Sequence, residues 1–368
     1  MSKVTIKHIA QAAGVSTTSV SFAFNNPGRL SEATLQRILE VAEDLGYVPS
    51  PVARSLNTGR TCTLGVLVPQ PIPEIVRNPF LSEFLEGVGE VCTEAGFSLM
   101  IVPPLEGSIR RAIINAAVDG FLTLGLEPFK AAMVVLRQRG VPYVMVDGDP
   151  IEGVPAVNID DEAGARAAMK HVLSAGHRKI AILAIRSGKE ARYEEYAGTL
   201  RRRMAGYLAA LKGFGLDVDG RRIRLLECAS TARGGRSTFA ALWKAKPRPT
   251  ALVAMSDIIA VGAMEAARKA GVHLPDELSI VGFDDIRLAS WVSPPLTTVR
   301  QPVRRKGKLA AELLVSHIQG ERKAPHHVLS TRLVVRDSVR PPLDKGSLRS
   351  RVRSAAVKAK AGQGKRVQ

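Results

Sequence analysis

The chain has little of what several function classes require. Three of its 368 residues are cysteine, and Cys62, Cys92 and Cys228 stand far apart with no C-x-x-C pair. An odd, scattered set excludes a disulfide framework and a cysteine-rich zinc site, and suits a reducing compartment. No stretch approaches the ~18 consecutive apolar residues of a membrane-spanning helix. The opening MSKVTIKHIAQAAG lacks the apolar core of a secretory signal. A soluble, cytoplasmic protein that does not enter a membrane is expected. Catalytic signatures are missing too: there is no G-x-S-x-G, no G-x-x-x-x-G-K-[ST] and no H-E-x-x-H. GVGEVC (87–92) and GFGLDVDG (213–220) do not give G-x-G-x-x-G after a strand. His326 and His327 are adjacent, so on a strand they point to opposite faces and chelate poorly. No catalytic residue, metal ligand or cofactor is expected, and the chain does not read as an enzyme.

What is present is ordinary globular composition carrying a large positive charge. Hydrophobic residues make up 45% and charged residues 23%, which argues against wholesale disorder or a fibrous chain. The length suggests two or three domains. The net charge of +18 is unevenly spread. Residues 1–60 contribute +2 and residues 341–368 contribute +7, counted on the sequence. Such a balance invites a polyanionic partner through counterion release.

The first sixty residues read as short helices. Ile6, Ile9, Ala10 and Ala13 share one helical face behind a Thr5 cap, and Gly14 breaks the helix. Ser16 caps a second helix, Thr17 to Phe24, with Val20, Ala23 and Phe24 inward. Asn25–Gly28 ends it with turn chemistry. A third helix starts at Ser31, with Leu35, Ile38, Leu39 and Ala42 inside and Glu32 and Glu40 outside, and stops at Gly46. Helix, glycine turn and short helix form the helix-turn-helix pattern, whose second helix enters the major groove. Thr17, Thr18, Ser21 and Asn25 on its outer face are small donors and acceptors suited to bases and phosphates. Residues 49–60 read as a linker with one embedded turn of helix, Pro51 at its first position and Val52, Ala53 and Leu56 on its apolar side. So short a helix is marginal alone and orders only against something else.

VTIKHIAQAAGVSTTSVSFAFNN, the Ser31–Gly46 helix and YVPSPVARSL together resemble the DNA-binding head-piece of the lactose/galactose repressor family, without gaps from Val4 to Leu56. The resemblance implies that Thr17, Thr18 and Phe22 sit at base-reading positions. It implies that Thr5, Ser16, Ser21, Asn25, Arg29, Ser31, Thr34 and Tyr47 sit where the family anchors the backbone or supports docking. Ala53, Arg54 and Leu56 fall in the hinge, where Leu56 matches a leucine wedged into the minor groove. Position 22 is often Arg in the family; Phe22 can only pack against a thymine methyl or a sugar.

From Cys62 onward short apolar runs alternate with amphipathic stretches. TLGVLVP (63–69), FSLMIVP (97–103), GFLTLGL (120–126) and VPYVMVDG (141–148) form one series. KIAILAI (179–185), IRLLECA (223–229), ALVAMS (251–256) and LSIVGFDD (278–285) form another. Helical stretches such as Ala163–Leu173, Met204–Leu211 and Ile258–Ala270 lie between. Two parallel sheets in two similar lobes are expected, with a pocket beyond the strand ends. NPFLSEFLEGV, VNIDDEAGARAAMKHVLSAGHRKIAIL, MSDIIAVGAMEAARKAG, LPDELSIVGFDDI and PPLTTVRQP are similar to the effector core of the same family, shaped like a periplasmic sugar-binding protein. That resemblance implies crossings between lobes near Asp160, Trp291 and Lys323. It places Phe80, Asp160, Arg203, Ser256 and Asp284 at the effector site, with Ser256 where Asn is common. An Arg fork and a carboxylate suit a sugar, one donating and the other accepting from hydroxyls.

The resulting expectation is an all-α helix-turn-helix head-piece (1–47), a hinge helix (48–60) and an α/β two-lobe periplasmic-binding-protein-like core (61–340). Lobe 1 would take 61–160 with 291–322, and lobe 2 161–290 with 323–340. The mixed charges of Arg186–Arg203 suit either an acidic-ligand site or a solvated face. Residues 341–368 read as a disordered basic tail, in which Leu343 and Leu348 make no heptad for tetramers. A homodimeric repressor on a pseudo-palindromic double-stranded operator is implied, controlled by a small molecule of carbohydrate type; whether that ligand induces or co-represses stays open. Two other classes fit parts of the chain: a sugar sensor whose head-piece binds protein, and a sugar-modifying enzyme.

Overall fold

The computed structural model describes residues 4–125, 130–186 and 193–342. The basic tail after Pro342, with Leu343 and Leu348, and the charges of Lys189, Glu190 and Arg192 lie outside the described residues. Contacts divide the chain into two compact units, residues 1–63 with 117–119 and the remainder.

The first unit is helical: α1 (Ile6–Ala13), α2 (Thr17–Asn25), α3 (Glu32–Asp44) and α4 (Pro51–Thr58). Thr5 opens α1, its N–H donating to His8 Nδ1 at 3.1 Å. Gly14 closes the helix at φ +63°, and the Val15 N–H reaches back to the Ala10 carbonyl at 3.0 Å. That left-handed turn suits a residue without a Cβ. Ser16 and Ser31 cap α2 and α3, accepting the Ser19 and Thr34 N–H groups at 3.0 and 3.4 Å. Ile9, Val20 and Ile38 are fully buried where the three helices meet, flanked by Ala10, Ala13, Ala23 and Ala42. Phe24 and Tyr47 pack at the edge with ring centroids 5.5 Å apart. Leu39, expected inside, is 38% exposed: one residue past Ile38 it is turned ~100° off the buried stripe. In α4, Ser50 caps and Pro51 leads, as the linker chemistry requires, yet none of its residues is buried. Just beyond α4, the Asp119 carboxylate takes the Thr61 N–H and hydroxyl at 2.6 and 2.7 Å and the Cys62 N–H at 2.9 Å.

The second unit holds two six-stranded sheets. β1 (Thr63–Leu67), β2 (Ser98–Val102), β3 (Gly120–Leu124), β4 (Tyr143–Val146), β5 (Ala156–Ile159) and β11 (His326–Leu329) form one, in the order β11-β5-β4-β3-β1-β2. β6 (Ile180–Ile185), β7 (Ile223–Cys228), β8 (Ala251–Ala254), β9 (Ser279–Asp284), β10 (Thr297–Arg300) and β12 (Arg332–Val334) form the other, in the order β12-β10-β9-β8-β6-β7. β11, β5, β4, β3 and β1 pair in parallel in the first sheet, as do β10, β9, β8, β6 and β7 in the second, where β10 with β12 is antiparallel. Helices α5 (Ile72–Ile75), α6 (Pro79–Ala95), α7 (Ile109–Asn115) and α8 (Lys130–Arg139) intervene in the first lobe; α9 (Asp161–Ser174), α10 (Gly198–Gly213), α11 (Ala232–Lys244), α12 (Asp257–Lys269) and α13 (Arg287–Trp291) in the second. α14 (Val303–Ile318) packs back on α6 in the first. There α6 and α14 cross backbone to backbone: a Cβ on Gly87 would overlap the Arg304 carbonyl, and one on Gly307 that of Phe84.

The chain crosses between lobes at Asp160, as expected, but the other two crossings need correction. β10 pairs with β9 (Thr297↔Val281), so the chain stays in the second lobe past Trp291 and leaves at 301–302. β11 pairs with β5 (His326↔Ala156), so the return lies at 330–331 and not at Lys323. Both strands are four residues long with polar members, and they escape a search for apolar runs.

Candidate functional site

In the first unit, α2 carries the candidate nucleic-acid face. Thr17 and Thr18 are exposed at its start, with Ser16 spent on the cap; Ser21, Phe22 and Asn25 follow, half-buried. Asn25 Nδ2 donates to Ser21 Oγ at 3.3 Å, which fixes both side chains. Arg29, exposed, lies with its guanidinium carbon 5.2 Å from the Phe22 ring centroid. Thr5 and Ser31 are exposed at helix caps, and Thr34 bonds Ser31 through their hydroxyls at 2.8 Å. Tyr47 is held against Phe24. Ala53, Arg54 and Leu56 lie on the uncovered α4, with Leu56 81% accessible.

In the second unit, carboxylates gather beyond the strand ends of both lobes. Asp147, just past β4, and Asp284, the last residue of β9, have φ of +59° and +122°. Backbone held there by residues other than glycine is costly and concentrates at working sites. Asp284 Oδ1 accepts from Gln301 Nε2 at 2.6 Å and lies 3.6 Å from Arg203. Arg203 is buried, its Nε on Asp161 at 2.9 Å, another N–H on the Met255 carbonyl, and its guanidinium 3.7 Å over the Phe283 ring. Lys306 is fully buried, donating to Asp147 at 2.6 Å and to Gln301 Oε1 at 2.7 Å, 4.9 Å above the Phe80 ring. The lobes meet where Asp149 receives Arg201 at 2.7 Å, Arg202 at 3.3 Å and the Gly198 N–H at 3.2 Å. Thr199 adds a hydroxyl bond to the Asp147 carbonyl at 3.1 Å. Asp147 Oδ1, Asn158 Oδ1 and Tyr207 Oη are buried with no hydrogen-bond partner among the described residues.

Electrostatics single out two carboxyls. Burial pushes Asp284 up to about 6, and Asp147 adds to this against Arg203, Gln301 and Lys306. Burial, with the neighbouring Asp284, also holds Asp257 well above the usual carboxylate range, against bonds from the Thr298 hydroxyl at 2.6 Å and the Ile286 N–H at 3.0 Å.

Of the expected effector residues, the structure brings Arg203 and Asp284 together. Phe80 lies under Lys306, and Ser256 is buried beside Met255, 3.4 Å from the Ser230 hydroxyl. Asp160 does not join them: exposed, it caps α9 by accepting the Ala163 N–H at 2.9 Å. Its neighbour Asp161 is the buried one, bound to Arg202 and Arg203. Asp147, Asp149, Asn158, Gln301 and Lys306 escaped the sequence reading. The strand-end rule would have found the two aspartates of VMVDGDP. For Lys306, the signal was a lysine in register with the buried Val303, Gly307 and Ala310 of α14.

A helix-turn-helix unit followed by two α/β lobes is the build of a DNA-binding transcription regulator. Residues 5–50 match the bacterial regulatory proteins, lacI family, and residues 169–339 match the periplasmic binding protein-like domain. The chain is 35% identical to the HTH-type transcriptional repressor PurR of Photobacterium profundum, over 91% of this chain and 98% of that one. It is 30% identical to the transcriptional regulator CelR in complex with cellobiose, covering 92% of this chain and 100% of that one with a TM-score of 0.67. The lac repressor dimer bound to operator and the anti-inducer ONPF shares the fold at a TM-score of 0.75 and 24% identity, covering 92% and 100%. The chain belongs to the lacI family of DNA-binding transcriptional repressors. These relatives are regulators rather than enzymes. Among the described residues no helix is long and apolar enough to cross a membrane, and no cluster of metal-ligating side chains occurs.

Proposed function

We propose that the chain acts in the cytoplasm as a homodimer on a pseudo-palindromic operator, and that a carbohydrate bound between the core lobes sets its operator affinity. One observation carries the ligand class: the cleft is rich in acceptors. Asp147 Oδ1 and Asn158 Oδ1 are buried without donors, and Asp284 closes the opposite strand end. A buried acceptor left unmet costs about 1–3 kcal/mol, which a ligand presenting several hydroxyls recovers. Arg203, with three of its contacts made to the protein, keeps N–H groups for a ring or hydroxyl oxygen. The cellobiose complex of CelR supports the same class. A planar heterocycle such as a purine base is the second reading, favoured by the Phe80 ring beside the cleft.

Dimerisation is supported by α4, whose Val52 and Leu56 stand exposed on a helix too short to persist alone. A two-fold partner and the minor groove together supply the cover it lacks. Thermal unfolding against a panel of mono- and disaccharides and purine bases tests the ligand class. A sugar raises the melting temperature of the wild type and not of Asp284→Asn. Stabilisation by purines alone favours the second reading, and a panel without effect contradicts a ligand of either class.

A further inference from the structure

We propose that Arg29, laid over the ring of Phe22, is the guanine-reading residue of the operator-binding surface. The inference rests on the operator reading above and deepens it, naming a base and the side chain that selects it.

Helix α2 has no charged residue in its first or last turn, and its sequence TTSVSFAFN contains no Lys or Arg. Thr17 and Thr18 present hydroxyls that bond several bases and methyls that touch thymine. Phe22 stands one turn beyond Thr18, on the same face at i, i+4, and has no hydrogen-bonding group. Nothing on the helix itself can make the two-pronged contact to O6 and N7 that distinguishes guanine.

The fork comes from the turn that follows. After Asn25 the chain reverses through the 3-10 turn Pro27–Arg29, pinned by the Arg29 N–H on the Asn26 carbonyl and the Leu30 N–H on the Pro27 carbonyl, both at 3.0 Å. This reversal carries the Arg29 guanidinium back to 5.2 Å from the Phe22 ring, within cation–π range. The side chain is exposed and, among the described residues, makes no ion pair. The ring occupies one face of the cation, while its planar N–H fork stays open for a ligand. A free arginine loses rotamer freedom on binding, and the stack removes part of that loss in advance. Phe22 is therefore a platform: it does not read a base, it aims the residue that does.

The test is selection of random duplex DNA at ~150 mM salt by full-length wild type, Arg29→Lys and Phe22→Leu, with and without a mixture of sugars and purine bases. Wild type is expected to enrich a palindrome with one guanine per half-site that it prefers over adenine by about ten- to a hundred-fold. In Arg29→Lys and in Phe22→Leu that preference falls about tenfold while the other positions keep theirs. The inference is overturned if both variants keep the guanine preference and lose affinity evenly across sequences with a shallower salt slope, which marks a phosphate contact. It is equally overturned if the altered positions lie elsewhere in the motif. A wild type that enriches no palindrome under either condition sinks the operator reading itself, and this inference with it.

Discussion

Asp284 and Lys306 are ionisable groups buried in the core. With its pKa raised to about 6, Asp284 keeps in the folded protein a proton that the unfolded chain releases near pH 4. The native state then binds more protons than the unfolded one, so this stabilisation is complete below about pH 4 and is lost as pH rises through 6. Thermal unfolding of the wild type should therefore weaken mainly between pH 4 and 6, by an amount of the order of 2 kcal/mol, and Asp284→Asn should flatten that slope; an unchanged slope would place the titration elsewhere. A ligand hydroxyl donates to the ionised carboxylate, so effector affinity should rise as pH passes through about 6. Lys306 is the converse case, a cation fully buried against Asp147 and Gln301. Lys306→Met leaves the Asp147 carboxylate with its charge unpaired and should cost about 3–5 kcal/mol in urea unfolding. Adding Asp147→Asn should return part of that loss.

At the scale of elements, backbone proximity and exposure decide which substitutions matter. Gly307→Ala drives a methyl into the Phe84 carbonyl where α6 and α14 cross, and should cost about 3 kcal/mol, read as a lower urea midpoint. Leu56→Ala on the uncovered side of α4 should weaken binding to a selected operator more than binding to random DNA; equal losses would argue against minor-groove insertion. Legibility from sequence follows the same physics. The helical head was plain because caps, a glycine stop and a 3.6-residue period all agree between Thr5 and Gly46. β1 to β4 and β6 to β9 were plain as apolar runs. AVNI, TTVR, HHVL and RLV were not, since polar residues interrupt them where the equally short YVMV and ALVA are apolar throughout, and two lobe crossings were misplaced with them. Arg203 and Asp284 were reached through the family resemblance. Lys306 was not, because a lysine is read as solvated until the helix face it occupies is known. Asp160 and Asp161 show the finest limit: one residue of helix phase separates an exposed cap from a buried partner of two arginines.

The whole molecule carries an α-helical reader and a cleft whose two lobes touch through Asp149 and the start of α10. A ligand that favours one lobe arrangement shifts its population, and only a difference in affinity between arrangements can change DNA binding. The sign of the change stays with the ligand, since inducer and corepressor use the same parts. That coupling is read as operator affinity by fluorescence anisotropy, using the selected palindrome with and without the compound that raises the melting temperature. A change of at least about tenfold is expected, within the usual range of allosteric coupling, and no change in Asp284→Asn. Identical operator affinity with the ligand bound and absent would contradict the coupling.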